Sequence, residues 1–320
     1  MESFRTPIPV SRAPTLTTSS PFVSLGSCFA DSIGSLLLQN KWPGLSNPFG
    51  TLFHPCAIFD LLKPSTDLEQ DLFLKTPDHV HHYRFPKTFF AASETAFREK
   101  VQTLKTGLHQ TLAKPGSTLL LTLGTSVLYT LGNDWVGNCH QQPARLFNKH
   151  TSTITDMMQA WERALSTIPI HTQIIVTVSP VRHLKEGLVA SSLSKSQLRI
   201  VAELMTQSDP RRIHYFPAYE IMMDELRDYR FYARDMLHPN EQAIDFIWQH
   251  FQDTFFTNEA KDFVRDWQKI RNRMNHRPLH PGSVSHRNFL SQLLKDMESY
   301  AHLDLEFEKK AIQRQLSETD

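Results

Sequence analysis

Asp235 and His238 stand three residues apart, directly ahead of Pro239 and Asn240. A carboxylate at that spacing can fold back on the imidazole, accept its Nδ1 proton, fix the tautomer and stabilise the imidazolium. Nε2 is then left to take a proton from a nucleophile held elsewhere. Asn240 is placed to cap the helix that follows. A surface turn with a helix cap has the same spelling, so the pair needs a partner to mean chemistry. That partner lies near the start of the chain, in Gly26-Ser27-Cys28. Phe22 to Leu25 reads as a short strand, Gly26 breaks it, and Phe29, Ile33, Leu36 and Leu37 recur at helical spacing. A strand turning abruptly into a helix leaves the first helical N–H groups unpaired and facing the turn, where an anion is stabilised. A thiol there, within reach of a histidine, is expected to have its pKa lowered. That favours Cys28 over Ser27, whose hydroxyl would depend on His238 altogether. The alternative is a Ser-Cys pair buried at an ordinary tight turn.

Two more strand ends run into polar loops: Gly124-Thr125-Ser126 after the apolar run 119–123, and Ser179-Pro180-Val181-Arg182-His183 after 174–178. In an open parallel sheet, the crevice beyond the carboxyl ends of the strands is the default ligand site. Arg182 and His183 could there bind a substrate carboxylate or phosphate; equally, Arg182 could pair with Glu220 or Asp228. His140 beside Cys139 has the same two readings. Tyr83, Tyr129 and Trp135 could line an apolar or sugar-stacking wall, or fill core. Cys28, Cys139, His140, His183, Asp235 and His238 also suit zinc chemically, but no Cys-x-x-Cys or His-Glu-x-x-His spacing accompanies them.

The elements that must position these groups alternate. Helical stripes cover 93–113 (Phe97, Val101, Leu104, Leu108, Leu112), 155–166 and 241–256, and Ser194 with Gln197 reads as a capping box opening a helix over Leu198, Val201 and Met205. Strands lie between them, the last at 213–216. Trp42-Pro43-Gly44 reads as a stop, 46–50 and 137–143 as loops, and 64–90 carries no assignable period. The pattern predicts a parallel sheet covered on both faces. Beyond about 258 charged residues increase and strand signals cease, so 1–257 reads as the α/β domain and 258–320 as a helical appendage, packed on the sheet domain or used for self-association.

The 320 residues are 40% hydrophobic with a net charge of +1, which fills a core and leaves no bulk basic field to argue for nucleic acid and no acidic tail to argue against it; no nucleic-acid partner is expected. Three Cys form no disulfide framework, no apolar run reaches the ~18–20 residues a bilayer demands, and no secretory signal is visible. The expectation is a cytoplasmic protein with no membrane partner.

Leu25-Gly-Ser-Cys-Phe-Ala30 is the signature after which the GSCFA family is named. Asn47-Pro-Phe-Gly50, Thr122-Leu-Gly-Thr125, Asn138-Cys-His140, Ser179 to His183, and Glu225 to Tyr232 through Asp235-x-x-His238-Pro239 also resemble its segments, as does His276-Arg277-Pro278 in the tail. The family is similar in segment order to the SGNH/GDSL hydrolases. That resemblance implies a flavodoxin-like αβα three-layer sandwich with a parallel sheet, and acyl transfer from esters with no cofactor. It sets Cys28 in the nucleophile slot (Ser27 if the register shifts by one) and Asp235 and His238 in the Asp-x-x-His block. Gly50 or Asn47 takes the second block. Gly124 matches the third block, but Ser126 stands where the oxyanion Asn belongs; Asn47 or Asn138 could supply that amide. The substrate implied is a small-molecule or carbohydrate ester. A metal site built from the Cys and His loops, or a non-catalytic binding or assembly protein, are the competing expectations.

Overall fold

The computed structural model describes residues 6–9, 13, 16–65, 67–276, 278–300 and 303–317; Arg277 of the tail segment lies outside the described residues. β1 (Phe22–Gly26), buried throughout, passes through Ser27 into α1 (Cys28–Gln39). β2 (Gly44–Ser46) returns parallel beside β1. Gly44 therefore does more than stop a helix: a Cβ there would fall 2.4 Å from the Phe22 carbonyl oxygen, so only glycine lets the edge strand close. α2 (Pro55–Leu61) starts on a proline, with His54 as its cap. The unassigned stretch holds a small hairpin, β3 (Phe73–Lys75) and β4 (Val80–His82). α3 (Glu94–Leu112) and β5 (Thr118–Leu123) follow as the periodicity predicts.

Next comes a three-stranded antiparallel sheet that hydrophobic patterning does not announce: β6 (Val127–Leu131), β7 (Asp134–Val136) and β8 (Phe147–Thr151). α4 (Ile154–Leu165) opens on a Thr153/Asp156 capping box and leads to β9 (Gln173–Val178). α5 (Gly187–Ser208) begins seven residues before Ser194. Ser194 and Gln197 therefore do not cap it; both sit mid-helix, bonded to Ser126, and the polar pair that looks like a start signal is an inward-facing contact. β10 (Ile213–Tyr215) is followed by α6 (Ala218–Glu220), which continues as a π-helical turn over Ile221–Glu225. Asn240 caps α7 (Glu241–Phe255), its Oδ1 accepting from Ala243 N–H at 3.0 Å. α8 (Asn258–Met274), α9 (Val284–Glu298) and α10 (Glu306–Ser317) complete the chain.

The main sheet is parallel throughout, in the order β10-β9-β5-β1-β2. Numbered by their own sequence, these strands read 5-4-3-1-2, the flavodoxin order, whose switch point lies between β1 and β5. The period of two divides the strands between two cores: Val23, Leu25, Leu119, Leu121, Ile174 and Val176 face one cluster, while Phe22, Leu120 and Ile175 face the other. The first is covered by α2, α3, α4 and α5, the second by α1 and α7. Three layers result. The C-terminal helices form a smaller cluster around Trp267, Leu290, Leu293 and Met297. They dock on the carboxyl end of α1: Trp267 Nε1 donates to Gln39 O at 3.0 Å, and Lys41 Nζ lies 2.5 Å from Glu308 Oε1. No helix among the described residues is long and apolar enough to cross a membrane.

Candidate active site at the carboxyl edge of the sheet

The elbow sits at the switch point. Gly26 has φ +141°, and a Cβ there would lie 2.2 Å from Thr122 O of β5, so no other residue fits. Asn47 (φ +39°) holds the turn from the far side. Its Oδ1 accepts from Gly26 N–H at 2.8 Å, and its Nδ2 donates to Asp31 Oδ1 at 2.8 Å and to Ser27 O at 3.5 Å. The Asn47 amide is thus committed to shaping the elbow and has no donor left for an oxyanion.

Ser27 is fully buried. Its N–H donates to Thr122 O, and its Oγ accepts from Phe29 N–H at 3.4 Å while donating to Ser179 Oγ at 2.9 Å. This hydroxyl caps α1 and ties the exits of β1 and β9 together. Cys28, half-buried at the first helical position, is the elbow residue with solvent access. Its thiol pKa is raised, not lowered: burial pushes it up, the Asp31 carboxylate adds to that, and its own backbone N–H only partly offsets them. The helix terminus fails to activate the thiol because burial outweighs it, and Asp31, one turn along the same face, adds a negative charge. Burial raises the Asp31 pKa in turn, against the Asn47 hydrogen bond.

The other candidates divide. Gly50 N–H closes a turn on Asn47 O at 2.7 Å, and Gly124 N–H donates to Phe53 O at 2.8 Å, so both amides are spent. Ser126 is fully buried, its N–H on Ser194 Oγ (2.8 Å) and its Oγ on Gln197 Oε1 (2.7 Å). It anchors α5 and does not replace the missing oxyanion amide. His140 (φ +48°) turns Nε2 to the carbonyls of His82 and Phe85, and burial lowers its pKa; it braces the loop. Asn138 spends its Oδ1 on His140 N–H at 2.7 Å, while its Nδ2 makes no hydrogen bond among the described residues.

Asn138 and His183 do come together, in a cavity of about 360 Å³ roofed by the β6–β8 insertion and lined also by Phe53, His54, Thr125 and Tyr129. Nε2 of His54 and of His183 are both buried and make no hydrogen bond among the described residues, although the backbone at Ser126 and at Gly124 lies close enough to raise each ring's pKa against burial. Burial holds the His183 pKa down to about 4, with the Lys195 charge adding, and burial holds His54 at about 3. Trp135 lies elsewhere, under the Arg84 guanidinium, and Tyr83 packs against His140 and Phe147.

Asp235 and His238 form the expected pair. Oδ2 is 2.7 Å from His238 Nδ1, and Oδ1 accepts the N–H groups of Leu237 (2.9 Å) and His238 (3.0 Å). Those two amides first, and then the imidazole, hold the Asp235 carboxyl down to about 2. Met236, at φ +57°, allows the tight turn. The turn is docked on the β9 exit loop, with Arg182 N–H donating to Leu237 O at 3.1 Å. His238 Nε2 makes no hydrogen bond among the described residues; in particular, none joins it to Cys28 or Ser27. Nor do three or more His, Cys, Asp or Glu side chains gather as a metal-binding group among those residues, so the zinc candidates stay dispersed.

Lys195 is a component that motif reading passes over. It is buried on α5, and its Nζ donates to Gly124 O at 2.8 Å and Ser179 O at 2.7 Å, bridging the exits of β5 and β9. Burial lowers its pKa to about 7. Its period was legible: Lys195 falls in step with Leu198, Ala202 and Met205 on the inward face.

A flavodoxin-ordered α/β sandwich with a Gly-Ser-Cys elbow at its switch point and an Asp-x-x-His turn docked on the same edge defines the class. The GSCFA family model matches residues 21–251, and the chain belongs to that family. Residues 267–318 match the C-terminal domain of GSCFA domain proteins, the segment that forms most of α8 to α10. No curated protein matches the chain.

Proposed function

We propose that the protein is an ester hydrolase or acyltransferase of the SGNH type, with Cys28 as nucleophile. The observation that carries this reading is the preformed Asp235–His238 pair, its Nε2 unengaged, docked on the loop whose first residue, Ser179, is bonded to the elbow. In the proposed step the Cys28 thiol loses its proton to His238 Nε2 as Sγ attacks the acyl carbonyl. Asp235 stabilises the imidazolium. The oxyanion falls to the Cys28 backbone N–H, which has no carbonyl partner among the described residues. The imidazolium then returns its proton to the departing alcohol oxygen, leaving a thioester. Water or an acceptor hydroxyl, deprotonated by the same imidazole, releases the acyl group and regenerates the thiol. Because the resting thiol is held protonated, the base is needed at the first step.

The test is peptide-level mass spectrometry after brief exposure to p-nitrophenyl acetate, alongside steady-state turnover. Expected is a hydroxylamine-labile acetyl group on the Cys28 peptide, absent in Cys28→Ala, and a loss of about 10²–10⁴-fold in turnover in His238→Ala. Undiminished turnover in both variants would sink the proposal. The commitment of Asn47 and Ser126 to structure favours a second reading, a binding protein on the same fold; it predicts no acetyl adduct at all.

A further inference from the structure

Arg182 leaves the β9 exit loop with its guanidinium over two rings, 5.0 Å from the centroid of Tyr232 and 5.6 Å from that of Tyr229. Among the described residues, its side chain makes one hydrogen bond, from Nη1 to Met236 O at 3.3 Å. The carboxylates that the sequence offers as partners are engaged elsewhere. Glu220 accepts from Tyr215 Oη at 2.7 and 2.9 Å and from Arg199 Nε at 3.1 Å. Asp228 accepts from Arg230 N–H at 2.9 Å and lies 3.8 Å from Arg230 Nε. Asp224 pairs with Arg227 at 2.5 Å. A guanidinium offers five donors; this one uses one of them on a carbonyl and meets no carboxylate among the described residues. It lines a cleft of about 210 Å³ whose other walls include Met222, Met223, Leu226, Tyr229 and Tyr232. Arg227 and Asp228 also line it, each already paired with a neighbour of opposite charge.

A guanidinium placed over two aromatic rings, with its fork unfilled, is suited to a planar or tetrahedral anion. Its place is informative as well. The Arg182 N–H and guanidinium bond the carbonyls of Leu237 and Met236, the two residues preceding His238. We propose that this cleft binds a carboxylate or phosphate carried by the substrate, placing the rest of that molecule beside the imidazole. The assignment of the ligand's far end rests on the acyl-transfer reading; the anion site does not.

Isothermal titration of the full chain with glucuronate, glucose 6-phosphate and glucose tests it, since the three share a neutral ring and differ in the anion. Expected is binding of at least one anion and not of glucose, with the stronger arm separating carboxylate from phosphate. Arg182→Gln should weaken that binding at least tenfold. Arg182→Lys should weaken it several-fold, because an ammonium keeps the charge without the fork, and it carries the test if the glutamine variant does not fold. Cys28→Ala should bind as the unaltered protein does, which separates failure of this site from failure of the nucleophile assignment. No binding of either anion, equal binding of glucose, or full affinity in the two Arg182 variants would overturn the proposal.

Discussion

Asn47 Oδ1 accepts the Gly26 N–H at 2.8 Å while its Nδ2 reaches Asp31 Oδ1 at the same distance. One side chain from the loop after β2 thus fixes both sides of the elbow, the residue that ends β1 and the acid in the first turn of α1. Asn47→Ala removes these two bonds and the longer one to Ser27 O, and leaves a buried N–H unpaired. A loss of about 1–3 kcal/mol is expected, read as a lower denaturant midpoint at unchanged slope.

Gly26→Ala is expected to be far worse. The added methyl meets the Thr122 carbonyl oxygen at 2.2 Å, backbone against backbone in a parallel pair, and φ +141° disfavours any side chain. Destabilisation of more than about 3 kcal/mol follows. Expression as soluble, two-state folding protein with an unchanged midpoint would refute this.

Asp31 should suppress the reactivity of Cys28. Burial and that carboxylate both raise the thiol pKa, so Asp31→Asn lowers it and increases the thiolate fraction at pH 7. Alkylation of the Cys28 peptide by iodoacetamide should quicken by about three- to tenfold at neutral pH and converge with the unaltered protein at high pH. Following the Cys28 peptide by mass keeps Cys56 and Cys139 out of the measurement.

Lys195 gives the fold a pH signature. Its pKa is about 7 when folded against an ordinary 10.5, so between those values the unfolded chain holds a proton the folded one lacks. Unfolding then takes up a proton, and this group's contribution to stability rises with pH across the window, by at most about 1.4 kcal/mol per pH unit. Below pH 7 both states are protonated and the burial cost is constant. Denaturation midpoints from pH 7 to 10 should show this slope in the unaltered protein relative to Lys195→Met; parallel curves would contradict it.

Most of what was legible in the sequence rests on strong periods and on residues with one mechanical use. Leu119 to Leu123 and Ile174 to Val178 read as buried strands because both faces are covered, and Asp235 with His238 read as a pair because a three-residue spacing lets the carboxylate fold back on the imidazole, although a capped surface turn has the same spelling. The β6–β8 insertion escaped because its first strand is half-buried at every position, so no alternation marks it. Gly132-Asn133 between β6 and β7 was the available hairpin signal. The Ser194–Gln197 pair misled because a capping box and two inward polar contacts share one spelling. The thiol's direction was misjudged because the helix terminus was weighed without the burial that outweighs it, or the acid three residues on. For Arg182 the sequence left a substrate anion and pairing with Glu220 or Asp228 equally open, because it shows nearby acids but not their prior engagements.

The carboxyl end of α1 is gripped from outside the sheet domain. Gln39 O takes the Trp267 indole and Lys41 meets Glu308, while Ala260 and Val264 cover the apolar layer that holds Trp42 and Phe256. Cys28 rides on the opposite tip of that same rod. A chain cut after Thr257 would therefore keep every candidate reactive group yet lose the buttress at the rear of the helix that carries its thiol.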